Sequence, residues 1–225
     1  MHTLLWSAQR GIRMNITKQQ YLSDPCGVSS LPYWKAVRTD IPENMLIQHD
    51  RDFCDKILTD YTDEPYFRLY HDLQMLRAAS LPDGFRLCEA DPAEYAAHIN
   101  QCYNGVSITE AEIKSYFQHS VYWAALWIAV QECKSKKIVA TGIAELDEQA
   151  GEGILEWIQV SPAYRGLGLG TYVVNELLTR IAQRVQFATV SGQVNNPFKP
   201  ESLYRKCGFQ GNDIWHILKK RSGKD

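Results

Sequence analysis

The chain has 225 residues, of which 45% are hydrophobic and 22% are charged, and its formal net charge is −2. This balance is typical of a globular protein with its own core, and it gives no reason to expect nucleic acid or an anionic membrane as the main partner. The longest apolar run, residues 121–130, is too short to span a bilayer, and the first residues lack a signal-peptide pattern. We therefore expect a cytoplasmic protein.

The cysteines and histidines give no sign of a metal site. Six of each are scattered along the chain without a CxxC pair or another metal-ligand spacing. The sequence therefore predicts reduced thiols and no bound metal.

The first 82 residues are predicted to form an extension. Residues 1–22 have no clear hydrophobic period and are expected to be partly disordered, and residues 23–42 are proline-rich but too aromatic for a free linker. Two helices are predicted next, one over residues 53–61 and one over residues 65–76, where the apolar residues have helical spacing.

The turn at residues 81–84 is the candidate boundary between this extension and the domain that follows. The aromatic faces of the two predicted helices need a partner surface. We therefore expect residues 1–82 to dock on a domain of residues 83–225, with the partner of a homodimer as the rival surface. Separate expression of the two pieces tests this, because docking predicts that the first piece alone shows no cooperative melt.

From residue 85 onward, short strands alternate with helices. Asp91-Pro92 and the capping box Thr109-x-x-Glu112 start two helices. Strands are predicted over residues 85–89, 123–130, 138–146, 154–160 and 187–194 and up to about residue 218, and helices over residues 91–103, after 109, after the glycine-rich loop and over 201–207. The predicted fold class is α+β: a mixed, mostly antiparallel sheet flanked by helices, preceded by a helical N-terminal extension.

A glycine-rich loop lies between a predicted strand and a predicted helix. The three glycines at alternate positions let the backbone N–H groups turn towards a ligand, and the first helical turn adds unpaired donors. Such a loop suits a pyrophosphate, with a charged contact from the arginine at its mouth. The loop reads Arg165, Gly166, Leu167, Gly168, Leu169, Gly170, Thr171.

Two other phosphate-binding patterns do not fit this loop. A P-loop requires a lysine after its last glycine, and Thr171 follows Gly170 here. The dinucleotide fingerprint requires a glycine at position 171 and an acidic residue about 20 positions later, and neither is present. A glycine turn that only lets helix and strand pack closely remains an alternative.

The loop and a second motif together resemble a known family. The stretch Leu155-Glu156-x-x-x-Val160-x-Pro162-x-x-Arg165-Gly166-x-Gly168-x-Gly170 is similar to the coenzyme A-binding signature of GNAT acetyltransferases. The downstream stretch Leu203-Tyr204-x-x-x-Gly208-Phe209 resembles the Leu-Tyr-x-x-x-Gly-Phe element of the same family. The resemblance covers approximately residues 85–220.

The resemblance implies two catalytic residues. Tyr204 stands where the family commonly has the general acid for the departing thiolate, and Glu156 stands where some members have a base or anchor for the acceptor amine. A packed core tyrosine and a glutamate in a salt bridge are the alternative interpretations.

The resemblance also implies how acetyl-CoA binds as co-substrate. The pyrophosphate would lie on Arg165 to Thr171, and the pantetheine arm would lie between two splayed strands, against unpaired backbone groups near Gln159 and Val160. The family's asparagine would fall at position 197, which is proline here, so Asn195, Asn196 and Ser202 all remain candidates for the pantetheine contact.

The function implied is transfer of an acetyl group from acetyl-CoA to a primary amine, on a small molecule or a peptide. A non-catalytic module that binds acyl-CoA is the alternative, and the presence of both Tyr204 and Glu156 favours the enzyme. A dinucleotide oxidoreductase is disfavoured by the missing glycine and acidic residue.

Overall fold

The structure, a computed structural model, describes residues 12–13 (backbone only), 15–78, 80–103 and 105–221. The strands are β1 (Ile12–Arg13), β2 (Asp40–Ile41), β3 (Met45–His49), β4 (Tyr61–His71), β5 (Phe85–Cys88), β6 (Trp127–Glu132), β7 (Ile138–Asp147), β8 (Glu152–Val160), β9 (Phe187–Gln193) and β10 (Gln210–Lys220). The helices are α1 (Lys18–Ser23), α2 (Tyr33–Ala36), α3 (Pro92–Cys102), α4 (Glu110–Ser115), α5 (Leu169–Ile181) and α6 (Pro200–Lys206). Turns of 3₁₀ helix lie at Asp50–Asp52, Asp55–Thr59, Tyr116–Gln118, Ala124–Leu126 and Pro162–Tyr164.

Eight strands form one sheet in the order β3-β10-β4-β9-β8-β7-β6-β5, and β1 pairs separately with β2. The predicted mixed, mostly antiparallel sheet flanked by helices is confirmed. By their contacts the residues divide into two compact units. The first unit contains the described residues up to Tyr70, Thr189–Glu201 and those from Gln210, and the second contains His71–Ala188 and Ser202–Phe209.

In the second unit, helices cover both faces of β7 and β8. A Cβ at Gly142 of β7 would meet Val173 of α5 at 2.5 Å, so this position faces α5 and only glycine lets the helix come so close. The preceding residue, Thr141, points to the other face, where its hydroxyl lies 2.9 Å from His98 Nδ1 of α3. The predicted cap at Asp91-Pro92 of α3 and the predicted capping box of α4 are both confirmed, and α3 also has a capping box with Glu94.

In the first unit, β10 is the middle strand of an antiparallel trio. Ile217 of β10 lies opposite Ile47 of β3 on one side and Glu64 of β4 on the other. The irregular segment after α1 packs on this trio, because Trp215 Nε1 of β10 donates to the Cys26 carbonyl at 2.7 Å. The prediction that this aromatic segment does not form a free linker is confirmed.

Both helices predicted for the extension are wrong. Residues 65–76 do not form a helix, because β4 covers residues 61–71, and residues 53–61 contain a 3₁₀ turn of five residues. The cause lies in the burial of β4. Phe67, Arg68 and Leu69 are consecutive and all buried, so the strand has no alternation of polar and apolar residues.

The other predictions for the extension have different outcomes. Of the residues expected to be partly disordered, 1–11 and 14 lie outside the described residues, and α1 begins at Lys18 behind a Thr17–Gln20 capping box. The division into 1–82 and 83–225, and the docking of the first piece, stay predictions.

Candidate functional site

The glycine-rich loop follows β8 and leads into α5, as predicted. Gly166 and Gly168 have φ angles of +81° and +84°, in the left-handed region that other residues rarely adopt. A Cβ at Gly166 would meet nothing within 4 Å, so conformation and not crowding requires glycine there. Gly166, Leu167 and Gly168 are exposed, and the loop backbone is therefore open to a ligand.

The amino end of α5 has no side-chain cap. Gly168 is the N-cap residue of this 13-residue helix, and the cap has no side-chain hydrogen bond. The first helical N–H groups have no partner within a helix, and the helix dipole places partial positive charge at this end. The geometry of loop and helix suits an anion, with donors available from Leu169, Gly170 and Thr171.

Arg165 binds its own chain. Its Nε donates to the Val160 carbonyl at 3.1 Å, and the side chain is half-buried. The expectation that backbone groups near Val160 are unpaired is therefore wrong for this carbonyl, because the side chain of Arg165 folds back across the loop to reach it.

The side of β8 that faces away from β7 is also occupied by a side chain near the loop. Ser161 N donates to the Val139 carbonyl of β7 at 2.8 Å, so by strand alternation the polar groups of Val160 and Ile158 point away from β7. The phenol of Tyr103 donates to the Ile158 carbonyl at 3.0 Å. Sequence reasoning missed Tyr103, because a tyrosine just after a helix carries no motif.

Glu156 is the extra residue of a β-bulge. Trp157 lies opposite Ile143 of β7, and Leu155 lies opposite Ala144, so no β7 residue lies opposite Glu156. A bulge re-aims a side chain from the regular face of a strand. The carboxylate is accordingly partly buried, between buried neighbours on both sides.

Gln159 directs its side chain into the second unit. It is 5% exposed, and its Nε2 donates to the Thr141 hydroxyl. Its Oε1 is buried and has no hydrogen-bond partner among the described residues. By the same strand alternation its backbone N–H and carbonyl point towards β7, opposite Thr141, and not to the side on which Val160 and Ile158 present theirs.

A histidine that the sequence did not single out anchors this region. His98 of α3 is 4% exposed, with Nδ1 2.9 Å from Thr141 Oγ1 and Nε2 2.9 Å from Ser161 Oγ. Burial lowers the pKa of His98 to about 4, so the ring is neutral at neutral pH. Its partners are 43 and 63 residues away in the chain, so no spacing could reveal the network.

Tyr204 is buried on α6. It is 6% exposed, and its ring packs edge-on against Phe209 with centroids 5.8 Å apart. Burial raises the pKa of the Tyr204 phenol far above its ordinary value, and Tyr103, Cys207 and Glu156 raise it further. The phenol is thus protonated at neutral pH, and Glu156 acts on it electrostatically within the same unit.

The remaining predicted contacts lie in different units. Ser202 is an exposed residue of α6 in the second unit, whereas Asn195 is an exposed residue of the first unit, after β9. Asn196 Oδ1 accepts from Phe198 N at 3.0 Å and so stabilises its own loop. The second unit therefore contains both catalytic candidates and the loop, but not Asn195.

In the described part of the chain, no helix has the length and hydropathy to cross a bilayer.

The family comparison matches this region. The family model of the acetyltransferase (GNAT) domain matches residues 122–211, which include Glu156, the glycine-rich loop and Tyr204. The chain carries a GNAT domain. The predicted family is confirmed, and the GNAT domain contains all of the predicted site residues. Curated proteins give no match to the sequence.

Solved structures agree on the fold. The GCN5-related N-acetyltransferase from Sphaerobacter thermophilus is 20% identical with a TM-score of 0.64, and the match covers 80% of this chain and 61% of that one. A Drosophila protein is 15% identical with a TM-score of 0.60, over 85% and 67% of the two chains. A GCN5-related N-acetyltransferase from Kribbella flavida is 15% identical with a TM-score of 0.52, over 80% and 68%. At these identities the likeness shows the fold alone, and the chain spans less than two thirds of the first structure's length.

Proposed function

We propose that the chain transfers an acetyl group from acetyl-CoA to a primary amine, on a small molecule or a peptide, by direct attack of the amine on the thioester. The observation that carries the proposal is the uncapped amino end of α5, preceded by left-handed Gly166 and Gly168. Its unpaired donors suit the pyrophosphate of coenzyme A.

The residues around the loop fit such a co-substrate. The backbone from Gly166 to Thr171, of which residues 166–168 are exposed, would hold the pyrophosphate, and Arg165 adds positive charge at the mouth of the loop. The N–H group of Val160, which points away from β7, would bind the pantetheine or the thioester oxygen. Ser202, in the same unit as the loop, stays a candidate for a further contact with the pantetheine arm.

Tyr204 is proposed as the general acid. In the reaction a bond forms between the amine nitrogen and the carbonyl carbon, and the carbon–sulfur bond breaks. The departing thiolate needs a proton, and the Tyr204 phenol, whose pKa burial raises above its ordinary value near 10, is protonated at neutral pH and can donate one.

Glu156 is proposed to receive the acceptor. The bulge leaves its carboxylate out of the regular pleat, partly buried and beside the strand that would hold the thioester. A carboxylate there attracts the ammonium group of the acceptor and accepts the proton that the amine loses, directly or through water.

Substitution of Tyr204 tests the function. Tyr204→Phe removes the proton donor and keeps the ring, so we expect kcat to fall about 100-fold while coenzyme A affinity stays nearly the same. Activity is measured as free thiol released from acetyl-CoA with a panel of amines, amino acids and peptides. The matched control is Tyr95→Phe, which removes another buried phenol, on α3.

Two results would count against the proposal. An unchanged rate in Tyr204→Phe, where chemistry limits turnover, would reduce Tyr204 to a packing residue. Coenzyme A binding by the wild-type protein without transfer to any amine of the panel would favour the non-catalytic acyl-CoA module.

A further inference from the structure

A cluster of lysines lies on the turn that joins β6 to β7. Lys134, Lys136 and Lys137 occupy three of four consecutive positions, and all three are exposed. We call residues 132–137 the lysine hairpin. Its three lysines and one glutamate give a net charge of 3 − 1 = +2.

The lysine hairpin is held in a defined shape. Lys136 N donates to the Glu132 carbonyl at 2.9 Å, and the Lys136 carbonyl accepts from Gln131 Nε2 at 2.7 Å. Cys133 N donates to the Gly84 carbonyl at 2.8 Å, which fixes the turn to the segment before β5. The three ammonium groups are therefore carried on a braced turn.

The register of the sheet places this turn beside the glycine-rich loop. The first residues of β7 lie opposite the last of β8, since Ala140 pairs with Val160. The lysine hairpin directly precedes β7, so it lies at the end of β8 from which the loop leaves.

Direct contacts confirm this proximity. Tyr164, just before the loop, donates its phenolic hydrogen to Glu132 Oε2 at 3.1 Å. The ring of Tyr164 lies 6.1 Å from that of Phe85. On the far side of the loop, a Cβ at Gly168 would lie 3.8 Å from Pro82 Cγ, and Pro82 belongs to the same segment before β5.

Glu132, the acidic residue of the lysine hairpin, accepts hydrogen bonds from a residue of the turn and from Tyr164 beside it. Hydrogen bonds from Ser135 and Tyr164 lower the pKa of Glu132. Arg86 of β5 donates from Nη2 to the neutral amide oxygen of Gln131 at 2.9 Å and so keeps its full positive charge beside the turn. The lysine hairpin together with Arg86 therefore carries more positive than negative charge.

We propose that the lysine hairpin binds the 3′-phosphate of coenzyme A and so selects free acyl-CoA over an acyl group on a donor that lacks this phosphate. This inference rests on the proposed function. If the pyrophosphate binds the loop and the pantetheine follows β8, the adenosine half leaves at the loop end, where the lysines are. A phosphate dianion there gains from each nearby ammonium group.

Calorimetry of the full chain with coenzyme A and 3′-dephospho-coenzyme A tests the inference. We expect the wild type to bind coenzyme A about tenfold more tightly, the order expected for a few exposed charge contacts. The variant Lys134→Gln/Lys136→Gln/Lys137→Gln should bind the two ligands equally. The control Lys18→Gln/Lys56→Gln/Lys114→Gln removes the same charge from exposed sites on other elements and should keep the preference.

The outcomes separate this inference from the proposed function. A hairpin variant that keeps the preference, or loses affinity for both ligands equally, overturns the inference. A wild type that binds both ligands equally overturns it too, while the glycine loop keeps its assignment. A wild type that binds neither ligand overturns the proposed function as well.

Discussion

Helices α3 and α5 both pack against β7 and β8, but their amino ends differ. At the start of α3, Asp91 Oδ1 accepts from Glu94 N at 2.9 Å, and Asp91 N donates to Glu94 Oε2 at 2.8 Å. At the start of α5, Gly168 offers no side chain at all. The first backbone N–H groups of α3 are therefore satisfied by its own residues, whereas those of α5 are open to a ligand.

The two helices also differ in how they are attached to the strands. His98 fixes α3 to the strands through hydroxyls of Thr141 and Ser161, whereas α5 packs closely through the glycine at position 142. Changes in α3 should therefore alter stability, whereas changes at the start of α5 should alter ligand affinity.

The largest expected effect is the pH dependence of stability through His98. Burial lowers the pKa of His98 to about 4 in the folded protein, whereas the pKa of this histidine in the unfolded chain is about 6.5. As the pH falls, the unfolded chain therefore binds the proton first. The contribution of the neutral ring is complete above about pH 6.5 and is lost as the pH falls towards 4, by up to about 3 kcal/mol.

Urea unfolding between pH 7.5 and 4.5 checks this expectation against the variant His98→Asn. The variant should be less stable at pH 7.5 and should show a flatter pH dependence, with coenzyme A affinity close to the wild type. His71, whose pKa burial also lowers, is present in both proteins and cancels in the difference. Equal pH slopes in the two proteins would remove His98 from this role.

The next effect is on ligand affinity at α5. Gly168→Glu places a carboxylate where the pyrophosphate would bind, so we expect coenzyme A affinity to fall about 30-fold, or about 2 kcal/mol. The control is Gly151→Glu, since Gly151 also has a positive φ, +70°, and a Cβ there would meet nothing within 4 Å. Equal affinities in the two folded variants would show that the loop does not bind the pyrophosphate.

The smallest effect concerns the cap of α3. Asp91→Ala leaves the first N–H groups of α3 without a side-chain acceptor and should lower the free energy of unfolding by about 1 kcal/mol. The expected fall in Tm is about 2–4 °C, with no change in coenzyme A affinity. Asp83→Ala, an exposed aspartate outside any cap, is the control. A loss of coenzyme A affinity in Asp91→Ala would contradict the expectation that changes in α3 alter stability alone.

Sequence patterns were informative where the physics is local. The cap Asp91-Pro92 and the box Thr109-x-x-Glu112 involve residues at most three positions apart, and the structure has both helix starts. The alternate glycines at 166 and 168 have the backbone that only glycine readily adopts. Chain-local chemistry therefore predicted the helix starts and the loop that suits a phosphate.

The sequence was misleading where burial removed the pattern. Tyr66, Leu69, Tyr70 and Leu73 have the spacing of one helical face, but β4 is buried on consecutive positions and is a strand. Strand and helix cannot be distinguished by period when both faces of a strand are covered. Only pairing with β10, about 150 residues later in the chain, determines that this segment is a strand.

The sequence by itself determined the family signature, the capped helices and the glycine-rich loop, because each depends on residues within one turn or one loop. Tertiary structure alone decided the bulge at Glu156, the reach of Tyr103 to Ile158 and the anchoring of His98. It also brought the lysine hairpin to the loop. Each of these depends on strand register and on partners distant in the chain, which the sequence pattern does not encode locally.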